Sequence, residues 1–517
     1  MPPETTRTRS ARLRGLSLCL ALLLSGLAHA GPAQVPGVVH VDIDIGSDRL
    51  TVPQLTDLTH QARLGVIVFT DHDNAVVEYG LPPFRRLLKK QESRPSIQAY
   101  GAQRYVETIR MAGDYTPGVI TIDGTEAAPA YYWEGNVWGG RPLARNIHKH
   151  LLVIGLPDPK DYERLPSLAT GFPQPFGLRC LVSLWPLPVA LAGLTMVVLS
   201  RRRARLEGEA GNPMPGVAVT IIGAAFLANS FPLCSPYDQY HGDPGDGPYQ
   251  AVIDYANARG AMTFWAHPEV MQRLSAPVPW PVSMFADSVV FETLPYTTAL
   301  STTSEYTGFA IFQEGLRVIG KPGGVWDQVL IEYCAGARRR PVWAIGEADF
   351  EDRAIANPKE DLEACQTVFL LKERSRAGVL EALRSGTMYA RRAPGHLLTL
   401  RDFRVTDGAG QTAATMGGHV TLSESPHVRI DLGVQDSSPR NLVIQVIRDG
   451  RVIRMIPAAG DTTITFEDRV VGGEGTTFYR LLVTLDDWEV LASNPIFVTI
   501  RPRSALQRPG SAGRAGV

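Results

Sequence analysis

Imidazoles and carboxylates recur in this chain at one kind of place, the point where a short apolar run stops. VIVFTDHDN, Val66 to Asn74, carries four apolar residues straight into Asp71, His72 and Asp73. FWAHP delivers His267, GVITIDGTE delivers Glu126, and SVVFE delivers Glu292. PVWAIGEADFED delivers Glu347, Asp349 and Glu351, and VVHVDIDIGSD offers His40, Asp42, Asp44 and Asp48. His148 and His150 open the run LLVIGL rather than close it. Singly, each of these is an ordinary capping Asp or a hydrogen-bonded core His. Collectively they form a donor set of nitrogen and oxygen ligands that suits zinc, manganese or iron.

The elements needed to hold such a set are legible around them. TVPQLTDLTHQARLG has Thr51 as an N-cap, Pro53 in the first turn and Gly65 as a stop, with Val52, Leu55, Leu58 and Ala62 at helical spacing. YQAVIDYANARG repeats the pattern, ending at Gly260 before the strand AMTFWA and His267-Pro268. The order is helix, glycine, apolar strand, ligand, which predicts an α/β fold. In α/β barrels, residues at the carboxyl ends of successive strands converge on one face. His60, on the polar side of its helix, is expected to do nothing catalytic.

These segments, in this order, resemble the PHP (polymerase and histidinol phosphatase) superfamily of metal-dependent phosphoesterases. TDHD (Thr70 to Asp73) and AHPEV (Ala266 to Val270) match its motifs closely; GTEAAP supplies Glu126 and HKHLLVIGL supplies His150 in preference to His148. GGVWDQVL and VLEALRSGTMYARR look like the family's late segments. Two motifs depart from it. The opening His-x-His reads His40-x-Asp42, and the closing Asp-x-His reads Asp349-x-Glu351, a carboxylate replacing a histidine each time. Ser47-Asp48 matches the family's Ser-Asp only after a one-residue insertion. The resemblance implies a distorted PHP-type (β/α) barrel binding two or three divalent metal ions. Its ligands would be His40, Asp42, Asp48, His72, Glu126, His150, His267, Asp349 and Glu351, with Asp71 orienting His72 or a water. The reaction implied is phosphate-ester hydrolysis by a metal-activated water. The alternative is a degenerate barrel that binds or senses a ligand without turnover.

The barrel segments, 37–156 and 245–392, are interrupted. LVSLWPLPVALAGLTMVVLS (181–200) and GVAVTIIGAAFLANSFPLC (216–234) are uncharged apolar runs, within an insertion spanning 175–236. Each approaches the length that crosses a bilayer. Between them, RRRAR places four arginines that the positive-inside rule assigns to the cytoplasm. Pro186, Pro188 and Pro232 weaken the runs as helices and favour the alternative of buried core helices. At the N-terminus, Arg7, Arg9, Arg12 and Arg14 precede LSLCLALLLSGL and AHAGPAQ, which reads as a secretory signal (1–30) cleaved after Ala30. Both features predict an exported protein, on the periplasmic or extracellular side and tethered to the inner or plasma membrane. There Cys180 and Cys234 would be free to pair.

After RRAPGH the texture changes to short alternating strands, with NLVIQVIRDGRVIRMI a hairpin around Asp449-Gly450. Residues 398–502 therefore read as a small all-β, immunoglobulin-like sandwich, and 503–517 as a disordered tail. A net charge of -1 gives no electrostatic ground for nucleic acid. The five cysteines lack zinc-finger spacing. The expected partner is a small-molecule phosphoester or cell-envelope substrate.

Overall fold

The computed structural model describes residues 32–43, 45–46, 50–135, 142–173, 177–208, 211–230, 235–277, 287–312, 314–351, 357–435, 441–469 and 475–501. The expected signal (1–30), the tail (503–517), Asp44, Asp48 and Cys234 lie outside these residues. The fold is mixed α/β. Thr51 begins the helix Val52–Gln61 through a capping box: its hydroxyl accepts the Gln54 N–H, and the Gln54 side chain accepts the Thr51 N–H at 2.8 Å. The strand Val66–Phe69 that follows is buried at every position. That explains its unbroken apolar run, since a strand covered on both faces has no polar side.

One series of strands positions the site. In spatial order it runs Trp343–Gly346, Gly308–Phe312, Met262–Trp265, Leu151–Ile154, Ile120–Ala127, Val66–Phe69 and Ala33–Asp42. All pairings are parallel except those of Leu151–Ile154, which is antiparallel to both neighbours. Its beginning therefore lies at the edge where the others end. After Gly346 the chain returns to the far end of the series. The Ala348 N–H donates to the Val39 carbonyl at 2.9 Å, and Phe350–Glu351 pairs in parallel with Ala33–Asp42. First and last strands are thus brought together, and their carboxyl ends face a common centre.

The insertion forms two helices, Pro186–Glu207 and Met214–Asn229, packed against each other. Pro186 and Pro188 occupy the first turn, where a missing N–H costs nothing, so they start the helix instead of interrupting it. The helix also continues past Ser200 through the arginines and stops at Gly208, whose φ of 71° is left-handed. Close approach depends on glycines: a Cβ on Gly223 would stand 2.5 Å from the Ala190 nitrogen, and one on Gly193 2.4 Å from that of Thr220. Outward-facing Leu187, Leu191, Leu194, Leu199, Ile221 and Ile222 are exposed. Cys180–Leu206, 27 residues, is long and apolar enough to cross a membrane; Met214–Asn229 is shorter. Cys180 is disulfide-bonded, whereas Cys334 and Cys365 are free thiols.

The C-terminal strands form two groups around a core that includes Leu400, Val405, Ile430, Val446, Leu481 and Val498. The Asp449-Gly450 hairpin forms with φ of 47° and 77°, the left-handed pair such a turn requires. This part is joined firmly to the rest. Trp488–Ser493 pairs with Met388–Arg392, extending the main sheet. Arg480, fully buried, forks onto the fully buried Asp327 with N···O distances of 2.6 and 2.7 Å. Its guanidinium lies 4.6 Å from the centre of the Trp326 ring.

Candidate metal centre

Glu126, at the end of its strand and almost fully buried, is the hub. One carboxylate oxygen lies 2.5 Å from His150 Nδ1 and 3.1 Å from His267 Nε2. The other lies 3.2 Å from His40 Nε2 and 3.6 Å from His72 Nε2. His72 Nε2 is also 3.7 Å from Asp42, and His40 Nε2 3.7 Å from Asp349. His40 sits where its strand breaks register with Val66–Phe69, and a bulge of that kind re-aims a side chain. His40, His267 and Asp349 all hold positive φ, at 69°, 26° and 48°. Strain of this kind persists where surrounding structure enforces it, and it clusters at functional sites.

The outer ring nitrogens of His40, His150 and His267 are already engaged. His40 Nδ1 faces Glu347 at 3.1 Å, and His150 Nε2 donates to the Ile147 carbonyl at 2.8 Å. Tyr296 donates its O–H to the Ala266 carbonyl, so at 3.2 Å it accepts from His267 Nδ1. Each of these imidazoles therefore turns its inner nitrogen toward Glu126. That is the arrangement metal-binding histidines take, with the second nitrogen fixing the tautomer. His40 Nε2, His72 Nδ1 and His150 Nδ1 are buried without a hydrogen bond of good geometry.

Electrostatics report the same crowding. Burial works against a charged His40 or His267, but Glu126, Glu347 and Asp349 outweigh it. His40 is held well above its ordinary range and His267 is pushed up to about 9. His72 rises for the same reason, through Glu126 and Asp42. Burial would raise Glu126, yet His150, His40 and His72 hold it well below the carboxylate range. His148, beside the cluster, is driven down to about 3 by burial and by His150 and His267.

The residues fit a cation. Ligand atoms of His40, Glu126 and His267, and separately of Asp42, His72 and Glu126, all lie within 4.8 Å of one another. Ligands about 2.1 Å from a tetrahedral metal stand about 3.4 Å apart, close to the 3.2 and 3.1 Å that separate Glu126 from His40 and His267. The cluster opens on a cavity of about 390 Å³ lined by His148, His150, His267, Asp349, Glu351 and Asp361, among others.

Of the residues singled out from sequence, His40, Asp42, His72, Glu126, His150, His267 and Asp349 come together here. Glu351 lines the same cavity, and Asp48 lies outside the described residues. The Asp71 carboxyl accepts the N–H groups of Ile43 and Ile45 at 3.3 and 2.8 Å and is hydrogen-bonded to Asp42. Burial and the Asp42 charge raise it well above the carboxylate range. Glu292 lies elsewhere, on a separate small sheet, paired with Arg145 and Arg273. Glu347 belonged to the strand-end pattern but not to the expected ligand set; it receives the His267 N–H at 2.6 Å as well as His40. Tyr296 gave no sequence signal, and Glu269 stood within AHPEV without a role of its own. Glu269 accepts three N–H groups, from Arg317, Val318 and Ile319, and so ties the chain after His267 to a neighbouring turn.

No protein-family model matches the chain, and no curated protein matches it. Among solved structures, it is similar to a Bifidobacterium adolescentis protein provisionally named a metal-dependent phosphoesterase. The identity is 12%, the TM-score 0.25, and the match covers 62% of this chain and 88% of that one. A likeness that slight carries no argument about function.

Proposed function

We propose that this chain is a metal-dependent hydrolase of the PHP type, acting on phosphoesters. The observation that carries the reading is the set of imidazoles whose outer nitrogens are tied down and whose inner nitrogens meet at Glu126. Divalent cations of the zinc, manganese or iron kind, two or three in number, would supply charge for the phosphoryl oxygens and acidify a water. His40, Asp42, His72, Glu126, His150, His267 and Asp349 would hold them. Glu347 and Tyr296 keep His40 and His267 in the tautomers that bind. His148, held neutral by its surroundings, stands at the cavity wall as a hydrogen-bonding group for substrate.

Asp42 and Glu351, the two carboxylates in place of expected histidines, are direct partners on adjacent parallel strands. Their exchange therefore alters one neighbourhood of the site, not two. That favours a site with changed metal preference. It also gives the second reading its footing: a barrel that binds a ligand without turnover.

The barrel is interrupted by a membrane hairpin and followed by an immunoglobulin-like sandwich, on the exported side of the inner or plasma membrane. Outward leucines on the helix pair support the tether, and the disulfide at Cys180 supports an oxidising compartment. The test is elemental analysis of natively purified full-length protein, with a phosphoester panel and the His72→Ala variant. Near-stoichiometric metal, with turnover that His72→Ala abolishes, is expected. Metal without turnover supports the second reading; neither metal nor activity after adding manganese or zinc sinks the hydrolase. A reporter inserted within 201–211 should be cytoplasmic.

A further inference from the structure

At the foot of the helix pair a loop of the globular part presents a mixed apolar and basic surface. It joins the strands Val76–Gly80 and Lys89–Ser93 and reads LPPFRRLL. The loop is held against the helices. The Asn229 side chain accepts the Arg86 N–H at 2.9 Å and donates to the Pro83 carbonyl at 3.2 Å. Phe84 packs on Phe226 with ring centres 4.8 Å apart, and Trp185 meets the same ring at 5.4 Å. Internal bonds from Leu87 and Leu88 to the Phe84 carbonyl, at 3.0 and 2.7 Å, give the loop a fixed shape. Within that shape Leu87 and Leu88 point outward, 48% and 54% exposed, beside Trp185 at 55%. Arg85, Arg86 and Lys89 line an adjoining cavity of about 740 Å³, where Arg85 lies 4.2 Å from the Tyr240 ring centre.

Two leucines, a tryptophan and a basic cluster at the end of an apolar helix pair match the order of layers at a bilayer surface. Indole rings settle at the headgroup level, leucines at the acyl boundary, and guanidinium and ammonium groups at the phosphates. We propose that the 81–88 loop is an interfacial anchor, with Leu87 and Leu88 entering a bilayer and Arg85 binding its anionic phospholipid headgroups, while Lys89 is paired with Glu78. The idea rests on the membrane reading of the helix pair. It adds a second contact that fixes how the globular part tilts over the lipid, because a loop beside the helices resists rocking that the helices alone allow.

The test uses full-length protein with Cys19→Ser and Cys334→Ser, Cys365 being buried, in nanodiscs of phosphatidylcholine containing phosphatidylglycerol. Nitroxides are placed singly by Leu87→Cys, Leu191→Cys and Glu92→Cys. Labels at 87 and 191 should be reached by oxygen and shielded from a water-soluble nickel chelate, with the label at 92 the reverse. Omitting phosphatidylglycerol, or adding Arg85→Gln, should raise nickel access at 87 by about fivefold, the weight of one basic residue near an anionic surface, and leave 191 unchanged. A label at 87 as open to nickel as that at 92, while 191 stays in lipid, overturns the anchor and spares the hairpin. Shielding at 87 that ignores lipid charge overturns the headgroup role. A label at 191 open to nickel overturns the membrane reading and the anchor with it.

Discussion

Around Glu126, four imidazoles and a ring of carboxylates have been withdrawn from water; on the helix pair, leucines and isoleucines stand out in it. A third place shows what a self-sufficient arrangement looks like. Arg480 and Asp327 are as deeply buried as the histidine cluster, but they match in charge and geometry and leave only one guanidinium nitrogen without a partner. The cluster does not close in this way, since its inner nitrogens crowd a single carboxylate. The helices do not close either, because their mutual contact covers only one stripe of each. In both regions something outside the chain would complete the polarity: cations at the cluster and, under the proposal above, lipid at the helices.

Removing a donor from the cluster should have the largest effect. Glu126→Gln keeps the shape but removes the hub's negative charge, so bound metal should fall below detection in elemental analysis and any phosphoesterase turnover should drop by about a thousandfold or more. Retained metal in that variant would break the contrast with the closed pair. Asp327→Ala should come next. It leaves Arg480 buried and unmatched, at a cost of about 3–5 kcal/mol, read as a lowered midpoint in denaturant unfolding, with metal content per folded protein unchanged.

Glu347→Gln should be milder. It weakens the grip on His40 and on the His267 backbone, and metal affinity should fall about 10–100-fold in a chelator competition while the fold persists. Gly223→Val tests the other region. The added methyls meet the Ala190 backbone, and overpacking of this kind costs about 1–3 kcal/mol, seen as a lower thermal midpoint for the detergent-solubilised protein.

The smallest effect is a pH dependence. His40 and His267 sit above their ordinary pKa, so without metal both carry protons at neutral pH, and a cation must displace them. Apparent affinity should therefore rise as pH increases from neutral toward about 9, where His267 titrates. Calorimetry in buffers of different ionisation enthalpy would record proton release; uptake would contradict the sign.

Much of the strand-end set was readable because the signal is local. An apolar run that stops at a histidine or carboxylate announces itself within ten residues, and Thr51, Gly65 and Asp449-Gly450 mark element ends by their own conformational preferences. Glu347 met the same criterion but not the ligand set, because nothing local says that its partners are His40, 307 residues away, and the His267 backbone, 80 residues away. Tyr296 carries no pattern at all, and Glu269 stands in AHPEV with nothing local to name its partners. The proline-rich start of the first inserted helix was misjudged as a weakness; a first turn has no use for the missing N–H.

The sequence by itself determined which short segments are strands and helices, which residue types stand at their ends, and that two apolar runs flank a cluster of arginines. Those properties depend on neighbours in the chain. Tertiary structure alone decided that Leu151–Ile154 runs against its neighbours, which brings His150 to the edge where Glu126 and His267 end. It decided as well that Asp42 and Glu351 share a rung, that Asp71 is hydrogen-bonded to Asp42, and that a loop near residue 85 lies at the foot of helices a hundred residues further on. Strand direction and register are set by burying the whole apolar set at once, and no single segment contains that information.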